Sequence, residues 1–164
     1  MIYVGRLSQN KGIETIIRAV NDMAPQYTLK IVGEGEEYDR LKKYASDRIV
    51  FTGVVTPSQA LEHIAGSDIL IMNSGYEGMP MTIREAQSLG LPVVTTDVGG
   101  IRESVHFGED AEMTDGTASA IQEAITLIEA DYARYSAAAV ENAKRFDYRV
   151  VNRSVYEELS RYWK

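Results

Sequence analysis

Short runs of β-branched and aliphatic residues alternate with longer amphipathic segments along most of this chain, and that alternation leaves few folds open. A strand covered by helices on both faces reads as a near-continuous apolar run, so the pattern predicts an α/β fold: a doubly wound parallel sheet with helices on both faces. Strands are expected at Met1–Val4, Thr28–Val32, Arg48–Thr52, Asp68–Met72 and Pro92–Thr95, with Ala111–Met113 as a sixth candidate, giving five or six. Helices are expected at Lys11–Met23, Glu36–Ala45, Pro57–Ala65 and Pro80–Leu89, with a short one at Ile101–Val105. After Thr117 the pattern changes. Thr117–Glu129, Asp131–Phe146 and Val150–Trp163 carry helical spacing with no strand between them, so the C-terminal end is expected to be helical.

At 164 residues and 45% hydrophobic content the chain can bury a sizeable core, and without repeats or a Pro, Gly or Ser-rich linker it reads as a single domain over residues 1–164. Its formal charge of −7 disfavours nonspecific nucleic-acid and anionic-membrane binding, so an anionic ligand needs local cations and helix ends. The absence of cysteine excludes disulfides, thiolate metal sites and a cysteine nucleophile. No apolar run approaches the roughly 18 residues of a membrane span, and the opening Met1–Val4 is strand-like rather than a signal peptide; the expected compartment is the cytoplasm.

The stretch Ser74–Gly90, S-G-Y-E-G-M-P-M-T-I-R-E-A-Q-S-L-G, concentrates the polar chemistry. It follows the apolar run Ile69–Met72, and Pro80 suits the first position of a helix, which puts Glu77 on the loop and Glu85 inside the helix. The first amides of that helix, on Met81, Thr82 and Ile83, lack intrahelical partners and lie at the positive end of the dipole, a seat for a phosphate. Two glutamates beside a phosphate would repel it, whereas an ionised carboxylate accepts hydrogen bonds from hydroxyls. A ligand with a phosphate end and hydroxyl-rich ends fits, and a nucleotide sugar has that anatomy.

The loop Val4–Gly12 adds charge at another strand end. It is not a Walker A loop, because Lys11 precedes Gly12 and no Ser or Thr follows to hold magnesium. Gly5 still permits close backbone approach, and Arg6 and Lys11 set two cations beside a helix start, although two solvated cations on an ordinary loop would look the same. Gly33-Glu34-Gly35 is only part of a dinucleotide fingerprint, since Tyr38 stands where its third glycine belongs. Gly53 allows a sharp turn after the third strand. All these features fall at the carboxyl ends of strands, where ligands of open α/β sheets sit, and that favours one composite site.

Taken together, G-R-L-S-x-x-K-G at Gly5–Gly12, I-V-G-x-G at Ile31–Gly35, F-T-G-V at Phe51–Val54, E-G-M-P…E-A at Glu77–Ala86 and G-L-P-V-V-T-T-D-V-G-G-x-x-E at Gly90–Glu103 resemble the C-terminal, donor-binding half of family 4 glycosyltransferases of the GT-B fold, over essentially the whole chain. The resemblance implies a Rossmann-like half of a retaining enzyme that transfers a hexosyl group from a nucleoside diphosphate sugar to a glycan, lipid or other acceptor. It assigns the diphosphate to Arg6 and Lys11, the donor sugar to Glu77 and the ribose hydroxyls to Glu85. The segment after Gly78, through Met79, Pro80, Met81 and Thr82, would hold the distal phosphate or sugar; Gly5 would approach the diphosphate, and backbone around Gly33 and Val54 would border the base. With no D-x-D in the chain, no metal and no other cofactor is expected, Arg6 and Lys11 taking that role.

The sequence departs from the family at Asn73, where Pro is common before Ser74, and at Arg84, where an aliphatic residue is common. The resemblance also implies an N-terminal, acceptor-binding half outside this chain, through which the whole protein could meet a membrane peripherally; an excised fragment and a natural single-domain protein both fit. A non-hydrolysing nucleotide-sugar epimerase is an alternative suggested by Asn73-Ser74-Gly75, and a non-catalytic nucleotide-sugar or phospho-receiver module is another, although only Asp97 stands where a receiver needs clustered aspartates. His63 and His106 lack the companions of a catalytic histidine, Glu103 fits a cap or salt bridge as well as a sugar contact, and Gly99 and Gly100 read as shaping a tight loop. Val151, Val155, Leu159 and Trp163 form one face of the last expected helix.

Overall fold

The computed structural model describes residues 1–147 together with 149 and 151. Six strands form one parallel sheet: β1 (Ile2–Val4), β2 (Leu29–Val32), β3 (Ile49–Gly53), β4 (Leu70–Met72), β5 (Val93–Thr96) and β6 (Ala111–Thr114), in the order β3-β2-β1-β4-β5-β6. The first three strands build outward from β1 on one side; the chain then crosses back to place β4 on the other, pairing Ile2 with Leu70. This reversal between β1 and β4 opens a crevice at the carboxyl ends of those strands, beneath the loops that carry Lys11 and Glu77.

Period-two alternation sends successive strand residues to opposite faces, and each face has its own core. Tyr3, Ile31 and Ile71 pack with Ile16, Ile17 and Val20 of α1 (Ile13–Asp22), Leu41 of α2 (Tyr38–Lys42) and Ile121, Ile125 and Ile128 of α5 (Ala118–Ala130). Ile2, Leu70, Met72 and Val93 pack on the other face with Ile64 of α3 (Pro57–Ala65) and Ile83 and Ala86 of α4 (Met81–Ser88). Of the last helices, α5 lies on α1 and β6, while α6 (Tyr132–Ala143) lies on α4.

The expected doubly wound sheet, helices on both faces and helical end are all present, including β6. Several helix starts differ. Lys11 belongs to a 3-10 turn, Gln9–Lys11, and α1 begins only at Ile13, because Gly12 takes a left-handed conformation at φ +59° that ends the turn and changes direction. Pro80 is the N-cap of α4 rather than its first residue, with an extended ψ of 109°. The helix expected over Glu36–Ala45 shrinks to five residues with Leu41 as its only buried side chain, so longer propagation has little core to bury. Ile101–Val105 is a 3-10 turn over Ile101–Glu103. At α3 the expectation is met by a full capping box between Thr56 and Gln59 with Pro57 at the helix start. The expected helix Val150–Trp163 lies outside the described residues, apart from Val151, which is exposed.

Candidate functional site

The loop after β1 and the loop after β4 are adjacent because their strands are. Across that junction Lys11 Nζ donates to Glu77 Oε1 at 2.6 Å, joining residues 66 positions apart. The same carboxylate oxygen accepts from Ser74 Oγ at 2.6 Å. Glu77 is only 9% exposed, so its charge is held by an ammonium and a hydroxyl rather than by water. Ser74 is itself fixed, its carbonyl accepting from Thr96 Oγ1 at 2.7 Å.

Lys11 and Glu77 line a cavity of about 230 Å³ with Gly5, Arg6, Pro80 and Thr82, over a floor that includes Tyr3 and Met72. Arg6 is exposed at the rim, where Tyr3 Oη donates to its backbone carbonyl at 2.8 Å and its guanidinium has no ion pair among the described residues. Burial first, and the Glu77 charge second, hold the Tyr3 phenol well above the usual tyrosine range, so it stays a neutral donor. The α4 N-terminus opens on the cavity through Thr82; of the three expected amides, that of Ile83 is already engaged by Pro80 O at 3.2 Å. Two cations, a helix start and a caged carboxylate thus face one small volume.

The loop after β5 clamps this arrangement from outside. Gly99, at φ +55°, lies so close to the Glu77 carbonyl that a Cβ there would stand 1.8 Å from its oxygen, and a Cβ on Gly100 would stand 2.1 Å from Gly78 O. Gly100 N also donates to Glu77 O at 3.2 Å. Both glycines do shape a tight loop, as expected, and their contact with the Glu77 backbone adds a reason invisible in sequence.

Other expected residues lie around the cavity rather than in it. Gly33 sits against the first loop, where a Cβ would come within 2.0 Å of Gly5 O, and Gly33 N donates to Gly53 O at 2.9 Å. Val54 is 72% exposed beyond that junction, while Met79 and Met81 are exposed beside the cavity mouth. Glu85 lines a separate groove between α4 and α6, with Met81, Arg84 and Phe146. Arg84 stacks on Phe146, its guanidinium carbon 4.0 Å from the ring centre, so it points away from Glu77's cavity. Glu103 is exposed, and His106 lies between Asp110 and Arg145 at the foot of α6.

A larger hollow of about 770 Å³ lies between α1 and α2. Its charged side chains pair among themselves: Glu14 with Arg18 and Arg40, and Arg40 again with Glu37. With its charges mutually satisfied, it offers an anion far less than the smaller cavity does.

Residues 1–146 match the family described as glycosyl transferases group 1, and the chain belongs to that family. Among its relatives, the lipopolysaccharide core biosynthesis glycosyltransferase LpsE of Rhizobium meliloti is 34% identical over 134 residues, 78% of this chain and 38% of that protein. The sulfoquinovosyl transferase SQD2 of Arabidopsis thaliana is 32% identical over 117 residues, 71% of this chain and 22% of that protein. In structure the chain is similar to HepE of Anabaena, solved in complex with UDP-glucose, with a TM-score of 0.84 and 26% identity over 97% of this chain and 48% of HepE. The chain therefore spans less than half the length of these relatives. No helix among the described residues is long and apolar enough to cross a membrane.

Three further residues of the site, Ser74, Thr96 and Tyr3, lie outside the expected set. Ser74 and Thr96 stand in the sequence only inside longer motif strings, and Tyr3 only as a strand residue. A hydroxyl three positions before a loop carboxylate is a usable signal for Ser74; nothing local marks the other two.

Proposed function

We propose that this chain is the donor-binding half of a retaining, family 4 type glycosyltransferase, a hexosyltransferase whose donor is a nucleoside diphosphate sugar. The observation that carries this reading is the Lys11–Glu77 contact at 2.6 Å inside a cavity that also presents Arg6 and the start of α4. The diphosphate lies against Lys11, Arg6 and the α4 amides; these positive groups stabilise the charge that grows on the leaving nucleoside diphosphate as the glycosidic bond breaks, and no metal enters this reading. Lys11 and Ser74 occupy Glu77 Oε1, so Oε2 is the atom left to accept from a donor-sugar hydroxyl. In this reading Glu85, which lines the groove between α4 and α6, accepts from the ribose hydroxyls at the nucleoside end. The resemblance to retaining enzymes, carried in part by Glu77 and Glu85, is what supports the retaining assignment, and the UDP-glucose named for HepE is the first donor to try.

Transfer also needs an acceptor held in a near-attack arrangement, a positioning contribution that can reach about 7–11 kcal/mol. In this reading the acceptor seat belongs to a second half, so the chain alone binds donor and transfers nothing. Calorimetry with UDP-glucose, UDP, ADP and GDP, beside a labelled-donor transfer assay on the same 164-residue chain, tests this. Saturable binding without product agrees with the proposal; failure to bind any nucleoside diphosphate, or robust transfer by the chain alone, refutes it.

A further inference from the structure

The turn that carries Lys11 is not held by its own secondary structure. It is a three-residue 3-10 turn with no buried side chain, ending at the left-handed Gly12. What fixes it comes from the loop after β4. The side-chain amide of Asn73 donates to Gly12 O at 3.3 Å and to Gly116 O at 3.2 Å, so one carboxamide bridges the loop after β1 to the loop before α5. Gly75 N adds a backbone bond to Asn10 O at 2.8 Å. Asn73 is 7% exposed, and Gly12 packs so closely on it that a Cβ at Gly12 would stand 2.3 Å from Asn73 O. The residue before the Ser74 that holds Glu77 therefore holds the turn that carries Lys11.

We infer that Asn73 is a positioning residue for the diphosphate: its carboxamide fixes the Gln9–Gly12 turn so that Lys11 is presented, beside Glu77, to the phosphates. This rests on the donor-site reading. Asn73 contacts no ligand itself and acts through Lys11, so removing its N–H groups frees the turn and weakens diphosphate binding while nucleoside contacts stay intact. Only a side chain with N–H donors of this length bridges both carbonyls; an aspartate of the same shape would turn a carboxylate toward Gly12 O and Gly116 O and repel both.

The test is calorimetry on the whole chain with UDP, ADP and GDP, each beside its nucleoside, for wild type, Asn73→Ala, Asn73→Asp, Lys11→Ala and the Asn73→Ala/Lys11→Ala double variant, below each variant's melting temperature. The expected result is about a tenfold loss of nucleoside diphosphate affinity in Asn73→Ala, a loss at least as large in Asn73→Asp, no change for the nucleoside, and no further loss when Asn73→Ala is added to Lys11→Ala. Additive losses in the double variant, equal losses for diphosphate and nucleoside, or unchanged diphosphate affinity overturn the inference while leaving the donor site standing. A wild type that binds no nucleoside diphosphate overturns the donor-site reading and this inference with it. Should Asn73→Asp fail to fold, Asn73→Ala and the double variant still decide.

Discussion

Glu77 and Glu85 lie eight positions apart in one continuous stretch, yet the fold treats them oppositely. Glu77 is buried on a loop, caged by Lys11 and Ser74 and clamped from behind by Gly99 and Gly100. Glu85 is half-buried on a regular helix, in a groove shared with α6 and free of an ion pair among the described residues. Spacing along the chain says that both carboxylates are near α4; it says nothing of which is held by the rest of the molecule. In the proposed reading Glu77, fixed by several distant elements, serves the transfer step, and Glu85, borne on a single helix, serves recognition.

The sharpest way to break this contrast is at the clamp. Gly99→Ala forces a side chain into left-handed backbone and against the Glu77 carbonyl, so a stability loss of about 3 kcal/mol is expected in chemical denaturation. Ser88→Ala, beside Glu85 on the exposed side of α4, should change stability by less than about 0.5 kcal/mol. Comparable losses at both would mean that the two glutamates are not differently anchored.

Next in size is the loss of charge. Lys11→Ala removes a charge-assisted contact worth roughly 1.5–3 kcal/mol, so UDP affinity measured by calorimetry should fall tenfold to a hundredfold with uridine unaffected. Arg6→Ala, at the exposed rim, should show the same selectivity with a smaller loss, because solvent screens its charge. An equal loss for uridine and UDP would indicate damage to the fold.

The smallest effect separates the glutamates themselves. Glu85→Ala should lower the preference for UDP over 2′-deoxy-UDP by about fivefold, close to 1 kcal/mol, whereas Glu77→Ala should leave that preference intact. Competition binding of the two nucleotides reads this directly; the same change in both variants removes the division of roles.

The sheet was legible because parallel strands buried on both faces read as apolar runs wherever they occur, as at Ile69–Met72 and Pro92–Thr95. Helix starts were less so. Gly12 gives no local sign that it will be left-handed and delay α1, and Pro80 as cap or first helical residue differs only in ψ. At the site, the residue types and their strand-end locations could be read, but not the partnerships. Lys11 meets Glu77 because β4 inserts beside β1, and Gly99 meets Glu77 because β5 follows β4, facts of sheet order that no window of sequence contains. Asn73 stands out in the sequence as a departure from a family pattern and as part of Asn73-Ser74-Gly75, neither of which hints at its two bonds, made to loops 61 and 43 residues away.

In the proposed reading the small cavity at the β1–β4 junction, rather than the larger hollow between α1 and α2, receives the nucleoside diphosphate. Backbone amide NMR of the chain titrated with UDP and UDP-glucose tests it most directly. Saturable shifts are expected at Gly5, Lys11, Glu77 and Thr82, with Glu14, Arg18 and Arg40 unmoved. Shifts confined to Glu14, Arg18 and Arg40 would contradict it.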